Sequence, residues 1–518
     1  MEVTVFSISS CRFCDKAKRL LKDRGVEFNE INLDDYPSRR KDMLELADAL
    51  SVPQIFVGNK HLGGADDVEA LDQAGKLDAI LAGTSESQTA GPKQLDPRLA
   101  PPQGPPETRP EASPRQHETF ECNGESRSLV ELVRLIRDKL GVEFSGSNLV
   151  STLAKEYELA KSEETTRVTS IATGLIEAGA LAPHKKARDF VAAAASRENA
   201  APQQQQQFRG DSNAKYCLLE ALQPSALNNF RVWQDRVDDP LVVVIALKKQ
   251  LSGILSRYRG KDGLVDYVGA AADSEFARFD EATCELQRLS IPDMAEKTRL
   301  AFVINLYNLL TLHAFTKVGV PKSNFDRTDF FDFVGYTVGG LFYSFNLLEN
   351  GILRVNQKTP FHLQKAIPSG DPRQRAVLST CNPALHACIS CGASSCPPIK
   401  RFTAEAVEEE MRIAAQAFFE LDENCSIDLA TQTITLTKIL SWYQADFGAD
   451  AVQAVRTVRG WLRGKKAADA DILLSKPEAM KVVYADYDWS TDARTAKTYV
   501  KQKSVLRILA HMTFGGRI

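Results

Sequence analysis

Two groups of residues in this chain have the types and spacing for chemistry. The first is Cys11-Arg12-Phe13-Cys14 near the N-terminus. Cysteines three apart can form a thiol–disulfide pair, or half of a zinc site that needs a second ligand pair elsewhere. The second group is His386, Cys391 and Cys396 within LHACISCGASSCPP, with Glu349 and Asn305 as polar residues inside otherwise apolar motifs. A thiol with a histidine base and a Glu or Asn to orient it is the arrangement of cysteine-dependent acyl transfer. The run Cys381, Cys388, Cys391 and Cys396 with His386 could instead bind zinc, or the thiols could simply be buried and structural. These three readings stay open.

The elements around the first pair narrow its chemistry. Glu2–Ser7 alternates like a strand, and Cys14–Lys22 carries Ala17, Leu20 and Leu21 at helical spacing. Glu27–Leu33 reads as a second strand, Lys41–Leu50 as a helix, and Gln54–Leu62 as a hairpin turning at Gly58-Asn59. The pair therefore sits where a strand turns into a helix, facing unpaired N–H groups and the positive end of the helix dipole. That placement lowers a thiol pKa from about 8.5 to roughly 3.5–7.5, and Arg12 and Lys16 add positive charge. Cys11 precedes the helix and is the expected nucleophile; Cys14 would resolve the mixed disulfide. A cis Val52-Pro53 bond facing the thiols would let the Val52 backbone pair with an extended thiol peptide. No second Cys/His pair is spaced to complete a zinc site at the first group, so no metal is expected there.

Residues 1–83, through CRFC, SVPQIFVGNKHLGG and ADD, resemble glutaredoxin. The resemblance implies a thioredoxin-like fold and thiol–disulfide exchange with glutathione as co-substrate. By it, Val52 and Pro53 would meet the cysteinyl part of glutathione. Gly64, Ala65 and Asp66 would hold its γ-glutamyl end, with Arg40 near its glycine carboxylate and Arg12 in support. The family's usual proline after the first cysteine is Arg12 here, and its usual lysine is Ile8.

Composition divides the rest of the chain. With 518 residues, several domains are expected. Residues 84–117 are dense in Pro, Gly, Ser and Gln and read as an extended linker, and 192–214 hold a five-residue Gln tract and read as another. Between them, 118–191 form a small helical unit, with helices expected at Leu129–Leu140, Ser147–Tyr157 and Ser162–Ala178. Its text FSGSNLVSTLAKEYELAKSEETTRVTSIATGLIEAGALAP resembles a DEP domain. This implies a winged helix of intracellular signalling that docks on a protein or an anionic membrane. Glu163, Glu164 and Glu177 beside a single Arg167 argue against nucleic acid as a partner.

Residues 215–495 form the largest unit, a mixed α+β domain, followed by a tail at 496–518 expected to be partly helical. Arg299–Phe315 reads as a helix apolar nearly all round, so Asn305, Asn308 and His313 on it need buried partners. The motifs INLYNLLTLH, YTVGG, LLENGILR, LHACISCGASSCPP and YDW resemble the family called DUF547, with Asn350 where members often have His. The fold class expected for the whole is therefore a multidomain α/β and α+β protein.

A net charge of −3 with 43% hydrophobic and 25% charged residues gives no general pull towards nucleic acid or an anionic surface. No apolar run approaches a membrane span, and no basic stretch followed by a long apolar one marks a secretory signal. Ten cysteines without a disulfide framework fit the cytoplasm. The expected activity is glutaredoxin-type reduction of glutathione or protein disulfides, fused to a docking unit and a DUF547-like domain. The alternative is a signalling scaffold whose third domain is a cysteine hydrolase or binding fold, with the first unit regulatory.

Overall fold

The computed structural model describes residues 2–8, 11–33, 35–36, 38–47, 49, 52–81, 95–104, 118–184, 207–223, 225–234, 237, 239–358 and 364–501. The first module builds strand β1 (Val3–Ser7), helix α1 (Arg12–Asp23), β2 (Asn29–Asn32) and α2 (Arg39–Ala47). It continues through β3 (Gln54–Val57), β4 (Lys60–Gly63), α3 (Ala65–Gln73) and α4 (Leu77–Leu81). The four strands form one sheet in the order β2-β1-β3-β4. β1 runs parallel to β2, as a βαβ crossover requires, and antiparallel to β3. All five β1 residues are buried, because helices cover both faces of the sheet.

The Pro-rich segment is not wholly an extended linker. Asp96 caps a short 3₁₀ turn, Pro97–Leu99, by accepting from the Arg98 N–H. Leu99 is 1% exposed in the apolar cluster that also holds Phe6, Cys11 and Cys14. The Thr4 hydroxyl donates to its carbonyl at 2.8 Å. Two leucines, Leu95 and Leu99, provide the apolar surface that the surrounding prolines and polar residues lack. Residues 82–94 and 105–117 lie outside the described residues.

The middle unit opens with a hairpin, β5 (Thr119–Cys122) and β6 (Glu125–Ser128). Ser128 then starts α5 (Leu129–Leu140) through a reciprocal capping box with Glu131. After β7 (Glu143–Ser145), helices α6 (Gly146–Glu156) and α7 (Glu164–Glu177) complete a three-helix core, followed by β8 (Leu181–Pro183). A boundary at 215 is corrected by the pairing of β9 (Lys215–Leu218), which lies between β7 and β8 in one antiparallel sheet. Tyr216 and Leu218 alternate into the middle core, and Phe208, Phe230 and Trp233 join them, so this unit draws on residues either side of 215.

The third module is centred on the helix Glu296–Lys317, buried over 16 consecutive residues from Ala301 to Thr316. Helix Pro240–Arg257 packs along it, entered through Asp239 as cap and Pro240 at the first helical position. The hairpin Gly335–Val338/Leu341–Ser344 and a three-stranded sheet, Cys425–Asp428, Thr433–Leu436 and Lys481–Tyr484, flank this core. The described part of the expected tail, 496–501, contains no helix: Thr498 bridges to Val320, and the Tyr499 hydroxyl donates to Asp329 at 2.7 Å. Residues 502–518 lie outside the described residues. Among the described residues, no helix is long and apolar enough to cross a membrane.

Candidate active site

In the first module, Cys11 is the extended residue that caps α1, and the Cys14 N–H donates to its Sγ at 3.1 Å. The sequence folds this way because an N-cap position leaves first-turn amides unpaired, and a sulfur there accepts one of them. Cys11 and Cys14 are joined as a disulfide, with Cα atoms 5.2 Å apart. The Val52-Pro53 peptide is cis, and the Val52 carbonyl oxygen lies 3.9 Å from Cys11 Sγ. Gly64 caps α3, its N–H donating to the Asp67 carboxylate at 2.7 Å. This leaves the first-turn amides of Ala65 and Asp66 without intrahelical acceptors. Lys16 turns away from the thiols to Glu69 at 2.7 Å and Asp66 at 3.6 Å, and the Glu69 hydrogen bond raises its pKa. Ile8 is buried beside the pair. The Arg12 side chain lies outside the described residues.

These groups open onto a cavity of about 720 Å³ that the first and third modules share. One wall carries Cys11, Arg40, Val52, Pro53, Gly64, Ala65 and Asp66; the other carries Thr311, Phe315, Ser390, Gly392 and Cys396. Contacts between the modules flank it. Arg19 donates to the carbonyls of Gly260 and, at 2.7 Å, Arg259. The Arg259 guanidinium lies between Asp15 at 3.5 Å and Asp492 at 3.2 Å. Lys249 pairs with Asp35 and Lys261 with Asp23, each at 3.1 Å, and Leu44 packs on Ile413 and Ala417.

In the third module, the polar residues of the buried helix hold the cysteine segment in place. Asn305 donates to the carbonyls of Ala301 and Phe402 and accepts from the Phe402 N–H and Lys248. Asn308 donates to the Cys388 carbonyl and accepts from the Ser390 N–H, both at 2.9 Å, and the Thr311 hydroxyl donates to the Ser390 carbonyl at 2.7 Å. His313 finds Tyr336 at 2.9 Å and Asp280 at 3.1 Å, with Lys317 on the same carboxylate. Asn305 is thus a clamp on the backbone near Phe402, away from the reactive sulfurs.

Past the clamp, Cys391 and Cys396 bring their sulfurs to 3.2 Å. The Tyr487 hydroxyl lies 3.0 Å from Cys396 Sγ and 3.6 Å from Cys391 Sγ, and the Cys391 N–H donates to Cys396 Sγ at 3.3 Å. These donors, the Cys391 thiol first, hold the Cys396 pKa below that of an ordinary thiol even though burial opposes it. The Cys391 pKa moves up, because it donates to Cys396 and is itself buried. Gly392, between them, has φ +88°, and a Cβ there would collide with the Phe315 ring. The glycine is therefore needed for packing.

His386 lies elsewhere in this site. Its Nε2 meets Asp446 at 2.8 Å, its ring stacks on Tyr443 at 4.4 Å between centroids, and Arg354 pairs with the same carboxylate. Burial pushes the Asp446 carboxyl up, but the hydrogen bonds from His386 and Arg354 outweigh it and hold the pKa below the usual value. Glu349 accepts from the Tyr307 hydroxyl at 2.9 Å. Burial, then the Glu349 carboxylate, push the Tyr307 and Tyr443 hydroxyls far up, and Cys391 is close enough to add to both. Among the described residues, no hydrogen bond joins His386 to Cys391 or Cys396. No group of three or more His, Cys, Asp or Glu side chains has metal-holding geometry among them either. Cys388 donates to the Ala384 carbonyl instead of converging on its neighbours. The structure therefore brings together two of the five third-module residues singled out above, and adds Tyr487. The YDW motif was the sequence signal for that tyrosine.

The family model "Glutaredoxin" matches residues 3–62, and "Protein of unknown function, DUF547" matches 291–419. A glutaredoxin of Pseudomonas aeruginosa is 44% identical over 80 residues, 15% of this chain and 95% of that protein. Glutaredoxin 3 of Escherichia coli K12 is 39% identical over 79 residues, again 15% of this chain and 95% of that protein. A buckwheat glutaredoxin–glutathione complex is 32% identical, covering 16% of this chain and 76% of that one, with a TM-score of 0.15. Through its N-terminal module the chain belongs to the glutaredoxin family, and it carries a DUF547 domain behind it.

Proposed function

We propose that the chain is a glutathione-linked thiol–disulfide oxidoreductase, with Cys11 as nucleophile and Cys14 as resolving thiol. The observation that carries this reading is Cys11 at the cap of α1, on the cavity wall beside Val52, with Cys14 beneath it. In the dithiol form, the Cys11 thiolate attacks one sulfur of a disulfide and the other sulfur leaves as thiolate. Cys14, or a glutathione thiolate, then attacks Cys11 Sγ and releases the reduced substrate. Where Cys14 resolves, two glutathione molecules reduce the Cys11–Cys14 disulfide and leave as glutathione disulfide. Glutathione would lie along Val52 and Pro53, with its γ-glutamyl carboxylate on the Gly64–Asp66 helix end and its glycine end towards Arg40; Arg12 supports it. Gly64 donates to Asp67, so the amides of Ala65 and Asp66 are the ones that carry that contact. The reaction belongs in the cytoplasm, where glutathione is kept reduced. The middle unit, three helices with a small antiparallel sheet, acts as a DEP-like docking module for a protein or an anionic membrane.

The test is glutathione-dependent reduction of a small mixed disulfide by the full chain, with and without Cys11→Ser. Wild-type turnover that the substitution abolishes supports the reading. Undiminished turnover by the variant, or none by the wild type, overturns it.

A further inference from the structure

The eight cysteines outside the CRFC pair differ sharply in chemistry. Cys217 and Cys425 are buried and pushed up to about 11, Cys284 and Cys381 to about 12, and Cys122 and Cys388 upward as well, all chiefly by burial. Such thiols are poor nucleophiles. Cys391 and Cys396 stand apart. Their sulfurs are 3.2 Å apart, about 1.2 Å more than a disulfide bond, and a loop that turns at Gly392 joins them. Two donors, the Tyr487 hydroxyl and the Cys391 N–H, converge on Cys396 Sγ, an arrangement that stabilises a thiolate. Cys396 also lines the same cavity as Cys11.

We propose that the Cys391–Cys396 pair is the internal substrate of the first module, exchanging electrons with Cys11–Cys14 across the cavity they share. This rests on the oxidoreductase reading above and names one disulfide it acts on. In the reducing direction the Cys11 thiolate attacks Cys396 Sγ, the sulfur on the cavity wall. The Cys391–Cys396 bond breaks, and Cys391 leaves with the electron pair as a thiolate beside the Tyr487 hydroxyl. Cys14 then gives up its proton to solvent and attacks Cys11 Sγ, releasing the Cys396 thiolate. One disulfide is reduced and one formed, and two glutathione molecules restore the Cys11–Cys14 dithiol as glutathione disulfide departs. With excess glutathione disulfide every step reverses: the Cys396 thiolate attacks Cys11 Sγ, and Cys391 closes the third-module disulfide. The DUF547 domain thereby carries a thiol pair whose state follows the glutathione couple through its own covalently attached reductase.

Three features favour the exchange. The modules are held face to face by Arg19, Arg259 and Leu44, so the reaction is intramolecular. Of the two thiols, Cys396 is the one that lines the cavity carrying Cys11. The departing thiol has a hydrogen-bond donor waiting for it.

The experiment places full-length protein in glutathione/glutathione disulfide buffers of stepped potential. Samples are quenched in acid, alkylated and read by mass spectrometry for the oxidation state of Cys391 and Cys396 over time. Wild type is compared with Cys11→Ser, and small mixed-disulfide turnover is measured on the same preparations. The expected result is a Cys391–Cys396 disulfide whose formation and reduction are at least about a hundredfold slower in Cys11→Ser, at a wild-type rate independent of protein concentration. Equal rates in the two proteins, a rate proportional to protein concentration, or no Cys391–Cys396 disulfide at any potential overturns the proposal. If small mixed-disulfide turnover persists alongside any of those results, the oxidoreductase reading survives and only the internal exchange fails. If that turnover is also absent from wild type, the oxidoreductase reading is what has failed.

Discussion

Replacing Asn308 by leucine tests whether the buried helix positions the cysteine segment. Asn308 is fully buried, and its amide bridges the Cys388 carbonyl and the Ser390 N–H, both at 2.9 Å. Leucine fills nearly the same space but pairs with neither, so two buried backbone groups lose their partners. Each costs about 1–3 kcal/mol when left unsatisfied, which brackets the total at about 2–6 kcal/mol. Thr311 still holds the Ser390 carbonyl at 2.7 Å, so the segment stays tethered at one point and the loss should fall near 3 kcal/mol, in the lower half of that range.

Guanidinium unfolding followed by tryptophan fluorescence reads this directly. Three of the four tryptophans, Trp442, Trp461 and Trp489, lie in the third module, and the fourth, Trp233, packs in the middle unit. With a slope on the order of 5 kcal/mol/M, the third-module transition should move down by about 0.5–1 M. Alkylation of Cys396 in the folded protein should quicken in parallel, because the loop that buries it has lost an anchor. Thr311→Val, which removes one bond, should shift the midpoint by a third to a half as much. A shift under about 0.1 M with unchanged alkylation would refute the clamp, since a solvated or redundant amide is the only way to lose it at no cost.

Two further outcomes follow from the same geometry. Gly392→Ala forces a Cβ against the Phe315 ring at φ +88°, so it should cost about 1–3 kcal/mol and part the two third-module sulfurs; an unchanged midpoint and unchanged Cys391–Cys396 oxidation would contradict this. Asp280 is held at about 2, against the opposing effect of burial, by Lys317 and His313. Its folded pKa lies below the ordinary carboxylate value, so its contribution of on the order of 2 kcal/mol is present above about pH 4 and disappears as pH falls towards 2. The stability difference between wild type and Asp280→Asn should therefore shrink across that window, and a difference independent of pH would rule the linkage out.

What could be read from the sequence was what depends on neighbours along the chain. CRFC at a strand-to-helix junction, Gly64 before ADD, and the polar positions of INLYNLLTLH all announce local requirements: an N-cap, an N-terminal turn, and buried groups in need of partners. The partners themselves lay far off. His386 meets Asp446 60 residues later and Cys396 meets Tyr487 91 residues later, so proximity in LHACISCGASSC suggested a His–Cys site that the fold does not assemble. The boundary at 215 failed for a related reason. KYCL follows a polar stretch and looks like a fresh start, yet it fills the gap between two strands that precede that stretch. Leu99 was hidden by composition: two leucines in a Pro-rich segment are too few to suggest a core, but enough to join one that exists.

The interface between the first and third modules decides which disulfides Cys11 can reach. A space of about 720 Å³ is in the range that holds a small ligand, so a glutathione-sized molecule enters with the modules docked. A folded protein disulfide does not, and must wait for them to part. Two of the contacts that oppose parting, Lys249–Asp35 and Lys261–Asp23, join side chains from 28% to 82% exposed, so each contributes at most about 1 kcal/mol and salt screens it. Weakening both shifts docking by up to about 2 kcal/mol, or up to roughly a thirtyfold rise in the open fraction. Reduction of a protein disulfide should thus rise several-fold between low and high ionic strength, while reduction of a small mixed disulfide stays level. Lys249→Ala with Lys261→Ala should reproduce the effect at low salt. Parallel salt curves for the two substrates would mean that Cys11 is equally accessible in both states, and that the wall opposite it does not select its substrates.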